Sequence, residues 1–240
     1  MLQQGAEAPT GSEGWLRREA GTRPSVADFK SLRLAGLLAS RWIAFNVVVL
    51  AVGLVFAVWH VSIIGGGRPD FTAYEASVDR LELAAVANLV VYLVGAAVFL
   101  FWFHRAYANL ERLEAGGMRH SKKWAVISWF VPIVNLWHPK QIANDAWRGS
   151  EPDVGEGTTW ANHGPLPAFL DLWWAFWVLS TFGWSLYFRM PVDTLAQEKS
   201  AHVVVAVVSV IDIVCGALAI VFIRRLTRRQ EARAAALRAA

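Results

Sequence analysis

Charge is distributed along this chain in blocks. All but two of its Lys, Arg, Asp and Glu side chains lie outside five apolar runs: Ile43 to Ile64, Ala84 to Phe103, Trp124 to Trp137, Leu166 to Phe188 and His202 to Ile223. A water-exposed helix repeats a polar face every 3.6 residues, and these runs do not. A hydrocarbon core of about 30 Å takes roughly 20 helical residues to cross, so four of the runs are long enough. Trp124 to Trp137, interrupted by Pro132 and Asn135, reaches only about 21 Å. The expected fold is therefore all-α: a polytopic transmembrane helical bundle with four spans plus a short Pro-broken segment, re-entrant or interfacial. Composition agrees, with 55% hydrophobic residues and 13 Trp, an excess suited to rings anchored at membrane–water interfaces.

Orientation follows from where Lys and Arg fall. If the short run does not cross, 19 of the 23 basic residues lie on one side and 4 on the other. If it crosses, the division becomes 13 against 10. The first arrangement places both termini in the cytoplasm and makes residues 124–137 a non-crossing element. The acidic balance of His138 to Pro165 points the other way. Residues 1–40 read as a disordered cytoplasmic tail without an apolar period, 41–223 as the transmembrane domain, and 224–240 as a basic cytoplasmic tail. No early apolar stretch with a small-residue cleavage site is present, so the first span is expected to act as the insertion signal. Arg outnumbers Lys and Ala is abundant, a composition suited to a GC-rich bacterial genome, so the expected location is a bacterial cell membrane.

The net charge of +4 does not indicate nucleic acid, because the basic residues sit between apolar runs without interleaved aromatics. Anionic lipid headgroups are the expected partner, together with a membrane protein partner or a second copy. One cysteine, Cys215, excludes an intramolecular disulfide and a multi-Cys metal site. His60, His104, His120, His138, His163 and His202 match no strong metal motif, and no cofactor or metal is expected from spacing alone. Nucleophile-elbow, HExxH and phosphate-loop patterns are absent. Gly65 to Gly67 read as a turn, and Gly155-Glu156-Gly157 lacks the third glycine of a dinucleotide fingerprint, Trp160 standing in its place. An enzyme is not the expected class.

Two carboxylates remain inside the runs. Asp212 lies at the middle of its run, where an ionised group costs roughly 2.5–3.5 kcal/mol on insertion scales. It shares a helical face with Ser209, Gly216 and Ala219, which turns it toward other helices. Two readings are open: a proton or cation relay, or a carboxyl hydrogen-bonded to a neighbouring helix. Asp171, one turn inside its span, is expected to pair with a basic neighbour. Asn46, Gly53 and His60 in the first span and Asn88, Gly95 and Trp102 in the second repeat at seven residues. They read as one antiparallel seam, in which the two glycines meet and the asparagines lie at opposite ends.

The densest pattern runs from Trp102 to Trp147: WFHRAYANLERL, then KKWAVISWFVPIVNLWHPKQIANDAW. Trp102, Arg105, Asn109 and Leu110 form a W-x-x-R-x-x-x-N-L segment. Trp129, Phe130, Pro132, Asn135, Leu136, Trp137 and Pro139 form W-F-x-P-x-x-N-L-W-x-P, with Trp147 beyond. This resembles a bacterial membrane family described by a domain of unknown function, DUF4328. The resemblance implies a multi-span bacterial membrane domain and carries no activity. Arg105, Asn109 and Arg112 share one helical face, which suits either a bidentate grip on a lipid phosphate or other anion, or a cap for carbonyls freed by Pro132 and Pro139, with Asn109 and Asn135 supplying the amides. Residues 140–148 read as an interfacial helix. The functional expectation is a non-enzymatic scaffold or accessory subunit of a membrane assembly; the alternative is a small ion-coupled carrier or channel using Asp212.

Overall fold

The computed structural model describes residues 25–65, 70–115, 117–152 and 165–239. Met1 to Pro24, Gly66, Gly67, the Gly155-Glu156-Gly157 stretch, Trp160 and His163 lie outside the described residues. All regular structure among the described residues is helical. Helix α1 spans Arg33–Ile64, α2 Phe71–Arg112, α3 Trp124–Ile127, α4 His138–Arg148, α5 Ala168–Tyr187 and α6 Leu195–Ala239, with 3-10 turns at Val26–Asp28 and Val134–Leu136. Three of these, α1, α2 and α6, are long and apolar enough to cross a membrane. Their 32, 42 and 45 residues correspond to about 48, 63 and 68 Å, so each projects well past a bilayer core.

The helix starts are legible in local chemistry. Asp70 accepts the Ala73 backbone N–H at 3.0 Å and caps α2. Thr194 and Gln197 exchange side-chain and backbone bonds ahead of α6 in a capping box. Pro139 occupies the first turn of α4, where its missing N–H is not needed. Leu32, at the start of α1, has no capping side chain of its own, although Ser31 Oγ accepts the next N–H, that of Arg33, at 3.3 Å. The Leu32 N–H donates to Glu231 of α6 at 2.7 Å. Residues 224–239, expected as a tail, are thus the last turns of α6 and part of the fold.

The long helices stand in a row, α2 beside α1, α1 beside α6 and α6 beside α5. Neighbours run antiparallel. Along α1 and α2, Trp42 packs against Gly95, Gly53 faces Ala84, and His60 meets Ser77. Asn46 Nδ2 donates to Asn88 Oδ1 at 3.2 Å. The expected seam is therefore corrected: the asparagines meet and the glycines do not. The reason is that α2 begins at Phe71, within a stretch expected to be a loop, and that start fixes which turns lie opposite each other. Between α1 and α6, a Cβ on Gly216 would stand 2.7 Å from a Val47 methyl. Between α5 and α6, Gly183 accepts Val208 where no Cβ would fit.

Residues 124–137 do not form a long helix. After the single turn of α3 the chain passes through turns to Pro132, and Ile133 adopts φ 67° and ψ −53°, the rare, strained γ-turn conformation, closed by the Val134 N–H donating to the Pro132 carbonyl at 2.7 Å. The segment inserts Trp129 between the first and last helices of the row. Its ring lies 5.6 and 6.0 Å from Phe99 and Phe103 of α2, and 6.4, 6.1 and 5.4 Å from Trp173, Trp174 and Trp177 of α5. Phe222 of α6 stacks on Trp173 at 5.1 Å. Edge-to-face pairs of this kind add about 0.5–1.5 kcal/mol each beyond area burial.

Two substitutions test this packing. Gly183→Ala should lower the thermal midpoint of the detergent-purified protein, with an overpacking cost of about 1–3 kcal/mol, whereas Gly53→Ala, whose Cβ would sit 3.9 Å from Ala84, should leave it unchanged. Glu231→Ala should cost about 1–2 kcal/mol by uncapping α1, read in the same melting experiment.

Candidate functional site

Chemistry-bearing residues gather in three places: the end of the bundle where α1 starts and α2 and α6 finish, the α5–α6 contact, and the opposite end.

At the first, α6 closes two helix termini with groups of matching sign. Glu231 accepts from Ser31 Oγ and Leu32 N, both at 2.7 Å, at the positive end of α1. Arg33 pairs with the same carboxylate at 3.3 Å. Arg233, buried, donates its Nε to the Leu113 carbonyl at 2.9 Å, at the negative end of α2. Both signs follow the helix dipole. Asn109 is fully buried and grips the backbone of Lys30, accepting its N–H at 3.3 Å and donating to its carbonyl at 2.9 Å. Gln230 adds a bond to the Ala106 carbonyl at 2.8 Å.

The motif residues take their places around this end. Trp102, fully buried, donates its indole N–H to Thr227 at 3.1 Å. Arg105 is half-buried, and its Nε has no hydrogen-bond partner among the described residues. Trp147 packs edge-on to Phe169 at 5.3 Å and carries the Arg229 guanidinium over its ring at 4.3 Å. Trp137 is partly exposed, its ring 6.4 Å from His138. Asn135 sits in the 3-10 turn, bonded through its backbone N–H to Val131. Of the amides expected to cap carbonyls freed by the prolines, Asn109 instead holds Lys30, and it is the Trp174 indole that donates to the Leu136 carbonyl, at 3.2 Å. Arg112 turns back to Ala108 O and Asn109 Oδ1, each at 3.3 Å, so Arg105, Asn109 and Arg112 do not form one open anion-binding face.

The loop before α3 is tied to α4 by Asp145, a buried carboxylate that accepts from Arg119 Nε at 2.9 Å. This bond holds the Arg119 guanidinium above its ordinary pKa. Tyr107 donates from its hydroxyl to the His120 carbonyl at 3.1 Å. Asp171 pairs with Lys140 Nζ at 2.7 Å, joining α4 to the start of α5. Burial pulls the Lys140 ammonium below its usual pKa, and Asp171 opposes that pull.

In the α5–α6 contact both oxygens of Asp212 are taken by α5. Ser180 Oγ donates to Oδ1, and Trp184 Nε1 donates to Oδ2 at 3.0 Å. Ser209 bonds the Val205 carbonyl within its own helix. The shared face seen in the sequence thus divides, Asp212 turning to α5 and Gly216 to α1.

The third cluster joins residues that the sequence reading left separate. His60 of α1, fully buried, lies with Nε2 3.0 Å from Glu198 Oε1 and Nδ1 2.8 Å from Ser77 Oγ. Tyr74 donates its hydroxyl to Glu198 at 3.1 Å. His202, one turn along α6, places its Nδ1 3.0 Å from the Glu198 carbonyl, and its ring lies 4.5 Å from that of His60. One ligating atom from each of His60, Glu198 and His202 falls within 4.8 Å of the others. The only signal in the sequence was Glu198 four residues before His202.

Residues 66–228 match the model of a family described as a domain of unknown function, DUF4328. No curated protein and no solved structure matches the chain. The matched span covers more than half of the chain and takes in both halves of the tryptophan–proline motif, and the chain belongs to the DUF4328 family.

Proposed function

We propose that the chain is a four-crossing protein of the bacterial plasma membrane, with both termini in the cytoplasm, acting as a non-enzymatic scaffold or accessory subunit of a membrane assembly. The observation that carries this reading is the partnering of Asp212. A carboxyl whose two oxygens are both held by donors on the adjacent helix works as a helix-to-helix fastener, and the same use of polar groups recurs at Asn46 with Asn88. Interhelical bonds of this sort contribute about 0.6 kcal/mol on average in a bilayer.

The fourth crossing is α5. Its 20 residues span about 30 Å, and it runs beside the apolar part of α6 from Trp173 with Phe222 to Gly183 with Val208. Residues 124–137, split into a single turn and a 3-10 turn, suit the cytoplasmic interface. Exposed Arg224, Arg225 and Arg228 at that end suit anionic headgroups, at about 1 kcal/mol per base near the surface.

A cytoplasm-active reporter fused after Ala240 should be active and a periplasm-active one silent; the opposite pattern overturns the four-crossing arrangement. In proteoliposomes, Asp212→Asn should leave proton and monovalent-cation flux equal to that of the parent protein. A flux that the parent supports and the variant loses, with its melting curve unchanged, would reject the scaffold reading in favour of an ion-coupled carrier.

A further inference from the structure

We propose that His60, Glu198 and His202 bind a divalent transition-metal ion of the Zn2+ class, through the two histidine Nε2 atoms and one Glu198 carboxylate oxygen.

The hydrogen bonds around the cluster assign the protons. Ser77 Oγ lies 2.6 Å from the Tyr74 carbonyl, which only accepts, so the hydroxyl hydrogen points there. Ser77 is then left as an acceptor for His60, and Nδ1 of His60 carries the ring proton. The same reasoning holds at His202, whose Nδ1 faces the Glu198 carbonyl at 3.0 Å. With Nδ1 carrying the proton, each ring in its neutral form offers an Nε2 lone pair. At His60 that lone pair faces a carboxylate oxygen at 3.0 Å, and two lone pairs at this distance require a cation between or beside them.

A metal site has these parts. Its histidines donate the non-ligating N–H to a hydroxyl or backbone carbonyl, which fixes tautomer and ring orientation, and its carboxylate is itself hydrogen-bonded. Here Ser77, the Glu198 carbonyl and the Tyr74 hydroxyl fill those roles. Arms of about 2.0–2.1 Å in a tetrahedral site place ligand atoms about 3.3 Å apart, within reach of a cluster whose ligating atoms already lie inside 4.8 Å. Two neutral imidazoles and one carboxylate suit a borderline dication better than Mg2+ or Ca2+, which take oxygen ligands. Three protein ligands leave a fourth position for water or another donor. Glu198 keeps 15% of its side chain exposed, so an ion can enter from solvent. The cluster lies at the bundle end away from Lys30 and Leu113, and it ties α1 to α6 where the aromatic wedge does not reach.

The test uses the full chain, carried on a non-histidine affinity tag, purified in mild detergent and stripped with a chelator. Titration with Zn2+ should show one saturable equivalent per chain and raise the melting midpoint, and Co2+ should give the intense visible bands of a four-coordinate site. His60→Gln and His202→Gln should abolish the equivalent, while His120→Gln, which removes a histidine near His138 at the opposite end, should retain it. Ser77→Ala leaves all three ligands in place and should weaken binding about 10- to 100-fold; the metal-free protein should still melt cooperatively, at a midpoint lowered by the unpaired His60 N–H, so the outcome does not hang on a ligand variant that fails to fold. No saturable equivalent in the parent protein, or full binding in either ligand variant, overturns the proposal and leaves a proton as the cation shared by His60 and Glu198.

Discussion

A helix that ends in or near a membrane must find partners for the backbone groups its last turns leave open, because water is not at hand to take them. In this bundle one helix supplies those partners for two others. Glu231 of α6 accepts the Leu32 N–H and the Ser31 hydroxyl at the start of α1, and Arg233 of the same helix donates to the Leu113 carbonyl at the end of α2. The carboxylate and the guanidinium stand two residues apart on one helix and answer dipole ends of opposite sign. Asn109 then holds the chain just ahead of α1 against α2. With these ends joined, the order of the row is set, and the aromatic wedge at Trp129 has a fixed gap between α2 and α5 to fill.

Much of this was legible in the sequence, and what was not has a physical reason. The apolar runs located every long helix because bilayer insertion leaves few charges within a span. The shared face of Ser209, Asp212, Gly216 and Ala219 pointed Asp212 inward, and the pairing of Asp171 with a basic neighbour follows from its depth. The α1–α2 register was not legible, since it depends on Asp70, a cap inside a polar stretch that reads as loop. The roles of Asn109 and Gln230 were hidden because their partners are backbone groups far away in sequence. The meeting of His60 with Glu198 spans 138 positions, a separation at which spacing carries no metal-ligand signature. Glu231, a lone acid among arginines, looked incidental in composition and is central in the fold.

The two ends of the bundle are held by different physics. At the Trp129 end many aromatic contacts, each contributing little, add to the polar bonds of Glu231, Arg233 and Asn109. At the His60 end cohesion is concentrated in a few polar contacts whose strength depends on distance and protonation. Between them, the α5–α6 contact combines the close approach at Gly183 with two hydrogen bonds to Asp212, so steric fit and polar pairing fall within one turn of each other.

The distance along the chain between a helix end and its cap bears on the order of assembly. Leu32 receives its partner from a residue 199 positions later, and Leu113 from one 120 positions later. During synthesis, α1 and α2 are made first, and their far ends lack these caps until the last turns of α6 have been made. The nascent protein is therefore an unfinished bundle up to its final turns, and a ribosome that stops before Glu231 releases a chain with the apolar part of every long helix made and its first two helices still lacking these caps.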